Sequence, residues 1–127
     1  EQTAFINRLY SRFNACDIEG VFELLEPDVV WANGMDGGHA RGLDEVRADW
    51  TRQWSMIDAR VDPMQIAIQP SGRIMVHAHQ VVRDKQGKVL SDETVEHLFT
   101  LHAGKVARFD IGEGADSLPA RSSAVTR

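Results

Sequence analysis

The spacing of apolar residues changes once along this chain, from helical to alternating, and that change restricts the folds open to it. Phe5, Leu9 and Phe13 stand four apart with Ile6 beside them, one apolar stripe at helical spacing. Asp17 is placed to cap a second short helix that turns Ile18, Val21, Phe22 and Leu25 inward. Pro27 closes it, because the residue before a proline is pushed out of helical geometry. Val29 to Trp31 reads as a short strand ending at Asn33, and Gly34-Met35-Asp36-Gly37-Gly38 as loop. A third helix opens near Leu43 with Leu43, Val46, Trp50 and Trp54 on one face. From about Arg60 the pattern becomes that of strands, over 60–69, 73–83, 89–102 and 105–111. Pro70-Ser71-Gly72, Lys85-Gln86-Gly87-Lys88 and Ala103-Gly104 supply the turns between them. Residues 1–112 are therefore expected to form one α+β domain, with three N-terminal helices packed on a curved antiparallel sheet. Residues 113–127 lack periodicity and are expected to be a poorly ordered tail.

Composition narrows the function classes. Of 127 residues, 43% are hydrophobic and 26% charged, with a formal net charge of −5, which excludes a disordered or collagen-like chain. The acidic balance argues against nucleic acid as a partner, since such a domain carries a basic stripe. No apolar run approaches the roughly 18 residues of a membrane helix, and no basic-then-apolar N-terminal segment signals secretion. The one cysteine, Cys16, fits a reducing compartment and hence a cytoplasmic location, and reads as a buried, inert thiol. What remains is a small domain acting through a pocket, a partner surface, or both.

Several stretches resemble the nuclear transport factor 2-like superfamily, in particular its SnoaL-like and ketosteroid-isomerase-like members. Phe13-Asn14-Ala15-Cys16-Asp17-Ile18-Glu19-Gly20 is similar to that family's helix junction, and Glu26-Pro27-Asp28-Val29-Val30-Trp31 to the lead into its first strand. Gly42, His97-Leu98-Phe99 and Gly104-Lys105-Val106 complete the pattern. The resemblance implies a cone-shaped α+β fold with a pocket beneath the helices, while the fold itself hosts many unrelated functions. It also implies departures. The general-base aspartate of ketosteroid isomerases matches Asn33, whose amide cannot abstract a proton near neutral pH. Their helix-borne tyrosine matches Leu9, with Tyr10 one residue along, and their second oxyanion acid matches Glu96, beside His97. Limonene epoxide hydrolases share the look of Trp31-Ala32-Asn33, but their Asp–Arg–Asp set meets His77 or His79 and Ile111.

His77 and His79 point to one face of a strand. A two-residue Gln86-Gly87 loop places His77 across from Glu96 and His79 across from Thr94, about 5 Å apart, which would make a carboxylate-tuned proton shuttle. That register also opposes Lys85 to Lys88, and a one-residue slip would separate the pair. The face of His77 carries Met75, Val81, Thr94, Glu96 and Leu98, whereas the other face, with Ile74, Val76, Ala78, Val95 and Phe99, is more apolar. Burial alone assigns the apolar face to the core. The resemblance assigns the His77 face to the pocket and leaves the apolar one for a partner subunit, and a mixed face suits a pocket. His-x-His spacing also suits a metal, and Gly72, His77, His79 and Asp84 echo a cupin motif, but the spacings are off and no second motif follows.

Two functions therefore stand side by side. One is a cofactor-free, metal-free isomerase, dehydratase or cyclase acting on a small apolar, carbonyl-containing molecule, with His77, His79, Glu96 and Asn33 as its catalytic set. The pocket would be walled by Tyr10, Trp31, Trp50, Trp54, Val81, Leu98, Phe109 and Ile111, with Trp50 and Trp54 also readable as plain core. The other is a non-catalytic ligand-binding or protein-interaction domain on the same scaffold. A homodimer through the outer face of the sheet is expected in either case.

Overall fold

Asp17 opens the second helix by accepting the Gly20 N–H at 3.0 Å, and a Cβ at Gly20 would collide with that carboxylate. The structure, a computed structural model, describes residues 2–33 and 37–112; the expected tail and part of the Gly34–Gly38 loop lie outside the described residues. In chain order the elements are α1 (Gln2–Asn14), α2 (Ile18–Phe22), β1 (Leu25–Ala32), β2 (His39–Arg41), α3 (Gly42–Met56), β3 (Ile57–Ile68), β4 (Ile74–Asp84), β5 (Val89–His102) and β6 (Lys105–Ile111). Between α1 and α2, Cys16 takes φ 56° while its N–H bonds Phe13 O at 2.9 Å and the Asp17 N–H bonds Arg12 O at 2.9 Å. This is the left-handed helix stop usually built with glycine. Cys16 is exposed there, not buried as expected.

The strands form one sheet in the order β2-β1-β6-β5-β4-β3. The antiparallel meander β3 to β6 is as expected. The sheet as a whole is mixed, because β1 runs parallel to β6. The three helices are likewise not a block ahead of the sheet: β1 and the three-residue edge strand β2 come between α2 and α3. Pro27 does not sit at the end of a helix but inside β1, in the stretch between Leu25 and Val30 where the ladder to β6 shifts register. Its missing N–H therefore costs no ladder bond. Among the described residues no helix is long and apolar enough to cross a membrane.

Register settles which side chains meet the helices. Ile74, Val76, Ala78, Phe99 and Phe109 point inward and are almost fully buried with Ile6, Leu9 and Val46 from the helices. His77 does stand across from Glu96 and His79 across from Thr94. A bulge beyond Val82 pairs Arg83 with Val89, leaving Leu90 as the extra residue. That shift removes the opposition of Lys85 to Lys88, and Asp84 instead accepts both the Gln86 and Lys88 N–H groups at 2.9 Å.

Asn14 ties the helical layer to the sheet edge. Its amide donates to Val61 O at 2.8 Å and accepts from the Val61 N–H at 2.9 Å, as a neighbouring strand would. Asn14→Ala should lower the unfolding free energy by about 2 kcal/mol, read from urea denaturation, because both half-buried backbone groups lose their partner.

Candidate functional site

The helices stand off the inner face of the sheet and leave a cavity of about 340 Å³. The α1 stripe supplies Leu9, Tyr10 and Phe13, α3 supplies Trp50 and Gln53, and the inward residues of β1 and β3 to β6 complete the wall. Aromatic packing shapes it. Trp31 stacks on Phe109 with ring centroids 4.1 Å apart, and Trp50 meets Trp31 edge-on at 5.2 Å.

At the deep end two polar side chains meet. Tyr10 Oη and His97 Nδ1 are 2.6 Å apart, both residues are about 95% buried, and their rings lie within 5° of parallel. Burial pushes the Tyr10 pKa up, well above its usual value, and pushes His97 down to about 4. Both groups are thus neutral near pH 7, and the direction of the bond follows from satisfaction. Among the described residues the phenol has no other acceptor, so Tyr10 donates and His97 Nδ1 accepts. The imidazole proton then sits on Nε2, which bonds no described residue, on a ring that lines the cavity. The arrangement presents one neutral N–H donor in an apolar enclosure, the kind of group that polarises a carbonyl. It is not a base as it stands, since the Nδ1 lone pair is taken and passing a proton back to Tyr10 would create a buried tyrosinate.

Of the residues expected at the site, Tyr10, Trp31, Trp50, Phe109 and Ile111 line this cavity. Trp54 does not line it, and packs instead against Phe13 and Trp50 at 5.3 and 5.6 Å. His77, His79, Glu96, Val81 and Leu98 are on the opposite face. Each alternates with an inward neighbour, because successive strand residues point to opposite sides. The expected contact is real, His77 Nε2 to Glu96 at 3.0 Å, but it lies on the half-exposed outer surface, with His79 bonded to Asp92 at 2.7 Å. His77 Nδ1 is buried against the protein and has no hydrogen-bond partner among the described residues. Asn33 is held by its neighbours: Nδ2 donates to Asp49 at 2.9 Å and Oδ1 accepts from Gln53 at 3.2 Å. It secures α3 to the end of β1 and is not among the lining residues.

The polar groups passed over were His97, Gln80, Gln53 and Glu93, all of which line the cavity. A sequence signal for three of them existed: Gln80, Glu93 and His97 share parity with Val76, Ala78, Val95 and Phe99, the more apolar face. Leu9 and Glu96, the positions that the resemblance matched to a helix tyrosine and a strand acid, are not paired, whereas Tyr10 and His97, one residue later on each element, are.

Residues 6–109 match the SnoaL-like domain. The chain belongs to the SnoaL-like domain family. Its fold is that of an NTF2-like protein of unknown function from Burkholderia pseudomallei, 26% identical over 86% of this chain and 87% of that one, with a TM-score of 0.75. A protein described as a putative polyketide cyclase from Sinorhizobium meliloti is 19% identical over 85% of this SnoaL-like chain and 93% of that one, at a TM-score of 0.70. A Mycobacterium tuberculosis protein crystallised in complex with estradiol-17beta-hemisuccinate is 17% identical over 86% and 90%, at a TM-score of 0.73. The search of the curated proteins finds no match.

The site carries a pH signature with a definite sign. The folded-state pKa of His97 is depressed from 6.5 to about 4, so the unfolded chain takes up this proton first as pH falls. Stability present above about pH 6.5 is lost on the way to pH 4, by roughly 3 kcal/mol in full. Urea unfolding of the protein between pH 7.5 and 4.5 should show that loss, and His97→Phe should remove it from the slope. In Tyr10→Phe the neutral imidazole loses its donor. NMR titration should then place the His97 midpoint above about 4, while urea unfolding shows a loss of about 1–3 kcal/mol.

Proposed function

We propose that this SnoaL-like protein binds a small, largely apolar, carbonyl-containing molecule in the cavity beneath its helices, without a cofactor. The observation that carries the reading is the neutral Tyr10–His97 pair, which offers Nε2–H as a donor inside an aromatic wall. Pockets of this kind, mostly apolar with a few placed polar groups, orient small ligands. The solved relatives with small molecules in their structures, one with estradiol-17beta-hemisuccinate and TerC with polyporic acid, lend the scaffold precedent.

The catalytic form of the proposal is an isomerase, dehydratase or cyclase step in which a water molecule takes the proton from the carbon beside the carbonyl and later returns it, while the His97 N–H stabilises the charge developing on the carbonyl oxygen. The non-catalytic form is binding alone. It is favoured by the state of His97, whose free nitrogen carries the proton, and by the absence of a carboxylate next to it among the described lining residues. A homodimer through the outer face of the sheet belongs to the same proposal. Met75 and Leu98 form a small buried apolar pair on that face, beside the His77–Glu96 pair. Sedimentation that shows a monomer at micromolar concentration removes the dimer.

Calorimetric titration with flat aryl ketones tests the main reading. Binding should weaken about tenfold in His97→Phe, the loss of one hydrogen bond in an apolar site. The same complexes, followed by proton NMR in deuterium oxide, separate the two forms. Exchange or turnover at the carbon beside the carbonyl supports catalysis, and its absence in a tightly bound complex supports binding alone. Affinity indifferent to His97 overturns the reading.

A further inference from the structure

The cavity has a second polar end. Along the inner face of β5, burial rises from exposed Glu93 through half-buried Val95 to His97 at 5% and Phe99 at 0% exposure, and Leu90 near the hairpin is 55% exposed. The mouth therefore lies at the β4–β5 hairpin and the floor at Phe99. Glu93 stands opposite Gln80 on the neighbouring strand, and both line the cavity at this mouth. Glu93 and His97 are four positions apart, a span of about 13 Å between Cα atoms. The inward positions between the two ends are Val95 and its partner Ala78, and Val82, Ala59 and Leu90 surround the mouth.

Glu93 differs in its surroundings from the carboxylates of the outer face. Glu96, Asp92, Asp62 and Asp110 each have a histidine or arginine partner within 3.0 Å. Glu93 has only the Ser91 hydroxyl, donating to Oε2 at 3.4 Å, so among the described residues no cation neutralises it. It is the one ionised group among the described lining residues. A carboxylate accepts hydrogen bonds, while the facing Gln80 amide both donates and accepts. A hydroxyl group, which also does both, complements the pair; a second carboxylate is repelled by it.

We infer that Glu93 and Gln80 select a ligand with two polar ends. Its carbonyl oxygen lies at His97 and its hydroxyl at the mouth, on the order of 10 Å apart across a flat apolar framework. The proposed binding function underlies this inference and places the carbonyl. Glu93 and Gln80 add the chemistry of the far end: they favour a neutral hydroxy ketone and exclude a keto acid. Both side chains act as specificity determinants, at a distance from the carbonyl.

Four probes test it: chalcone and its derivatives with a hydroxyl, methoxy or carboxylate group at the ring position farthest from the carbonyl. Their affinities are read from quenching of tryptophan fluorescence and confirmed by calorimetry. The hydroxy compound should bind the unaltered protein about tenfold more tightly than chalcone or the methoxy compound, and the carboxylate at least tenfold more weakly. Glu93→Leu should abolish the preference for the hydroxyl. Glu93→Gln should keep much of it while restoring the carboxylate compound to within a few-fold of chalcone, since only the charge is removed. Glu93 is exposed, so neither variant threatens the fold. Equal binding of all four probes, unchanged by Glu93→Gln but weakened by His97→Phe, overturns the inference and leaves the binding function standing. Failure of every probe to bind the unaltered protein overturns both.

Discussion

Burying one parity of β4 and β5 is the constraint on which the rest of the molecule depends. A strand between a helical layer and solvent turns alternate residues to each, and the set that enters the core is the one whose transfer from water gains most. Ile74, Val76, Ala78 and Phe99 form that set, each with no exposed surface. Their placement carries Gln80, Glu93 and His97 inward with them, since all share the same alternation and register. It turns His77, His79 and Glu96 outward, where half-exposed ion pairs are tolerated and contribute little.

The polar groups drawn inward acquire properties they would not have on the surface. An imidazole in water changes charge near neutral pH, but His97, desolvated and bonded by Tyr10, is held neutral well below that. Tyr10 is fixed in turn by α1, which Asn14 clamps to the edge of the sheet through Val61. The position of the Nε2–H donor thus depends on a helix stop, a side-chain amide and a strand edge, none of them part of the cavity wall's chemistry. This is the support that a placed polar group in an apolar pocket requires.

Much of the fold was legible from local pattern. The α1 stripe, the Asp17 cap and the meander, read from about Arg60 and found from Ile57, follow from periodicity, capping and turn residues, which act within a few residues of chain. The short strand His39–Arg41 and the parallel pairing of β1 with β6 were not legible, because both are set by partners distant in sequence. The pocket residues divide similarly. Trp50 and Phe109 were legible from the helical spacing of α3 and the alternation of β6, and both are buried. His97 was passed over in favour of Glu96, although the alternation that buries Phe99 also buries His97. Following the resemblance over the hydrophobic pattern inverted the sheet.

By itself, the amino-acid order determined the kinds of element, allowed the β4–β5 pairing that puts His77 beside Glu96, and carried the resemblance to a SnoaL-like α+β family. These rest on interactions between near neighbours and on the two-residue repeat of a strand. Only the tertiary structure decided which side of the sheet the helices cover, and so which histidine meets Tyr10 in the core and which two lie on the outer face. That choice is collective, because the free energy of burial is summed over every strand at once and no single residue records the result.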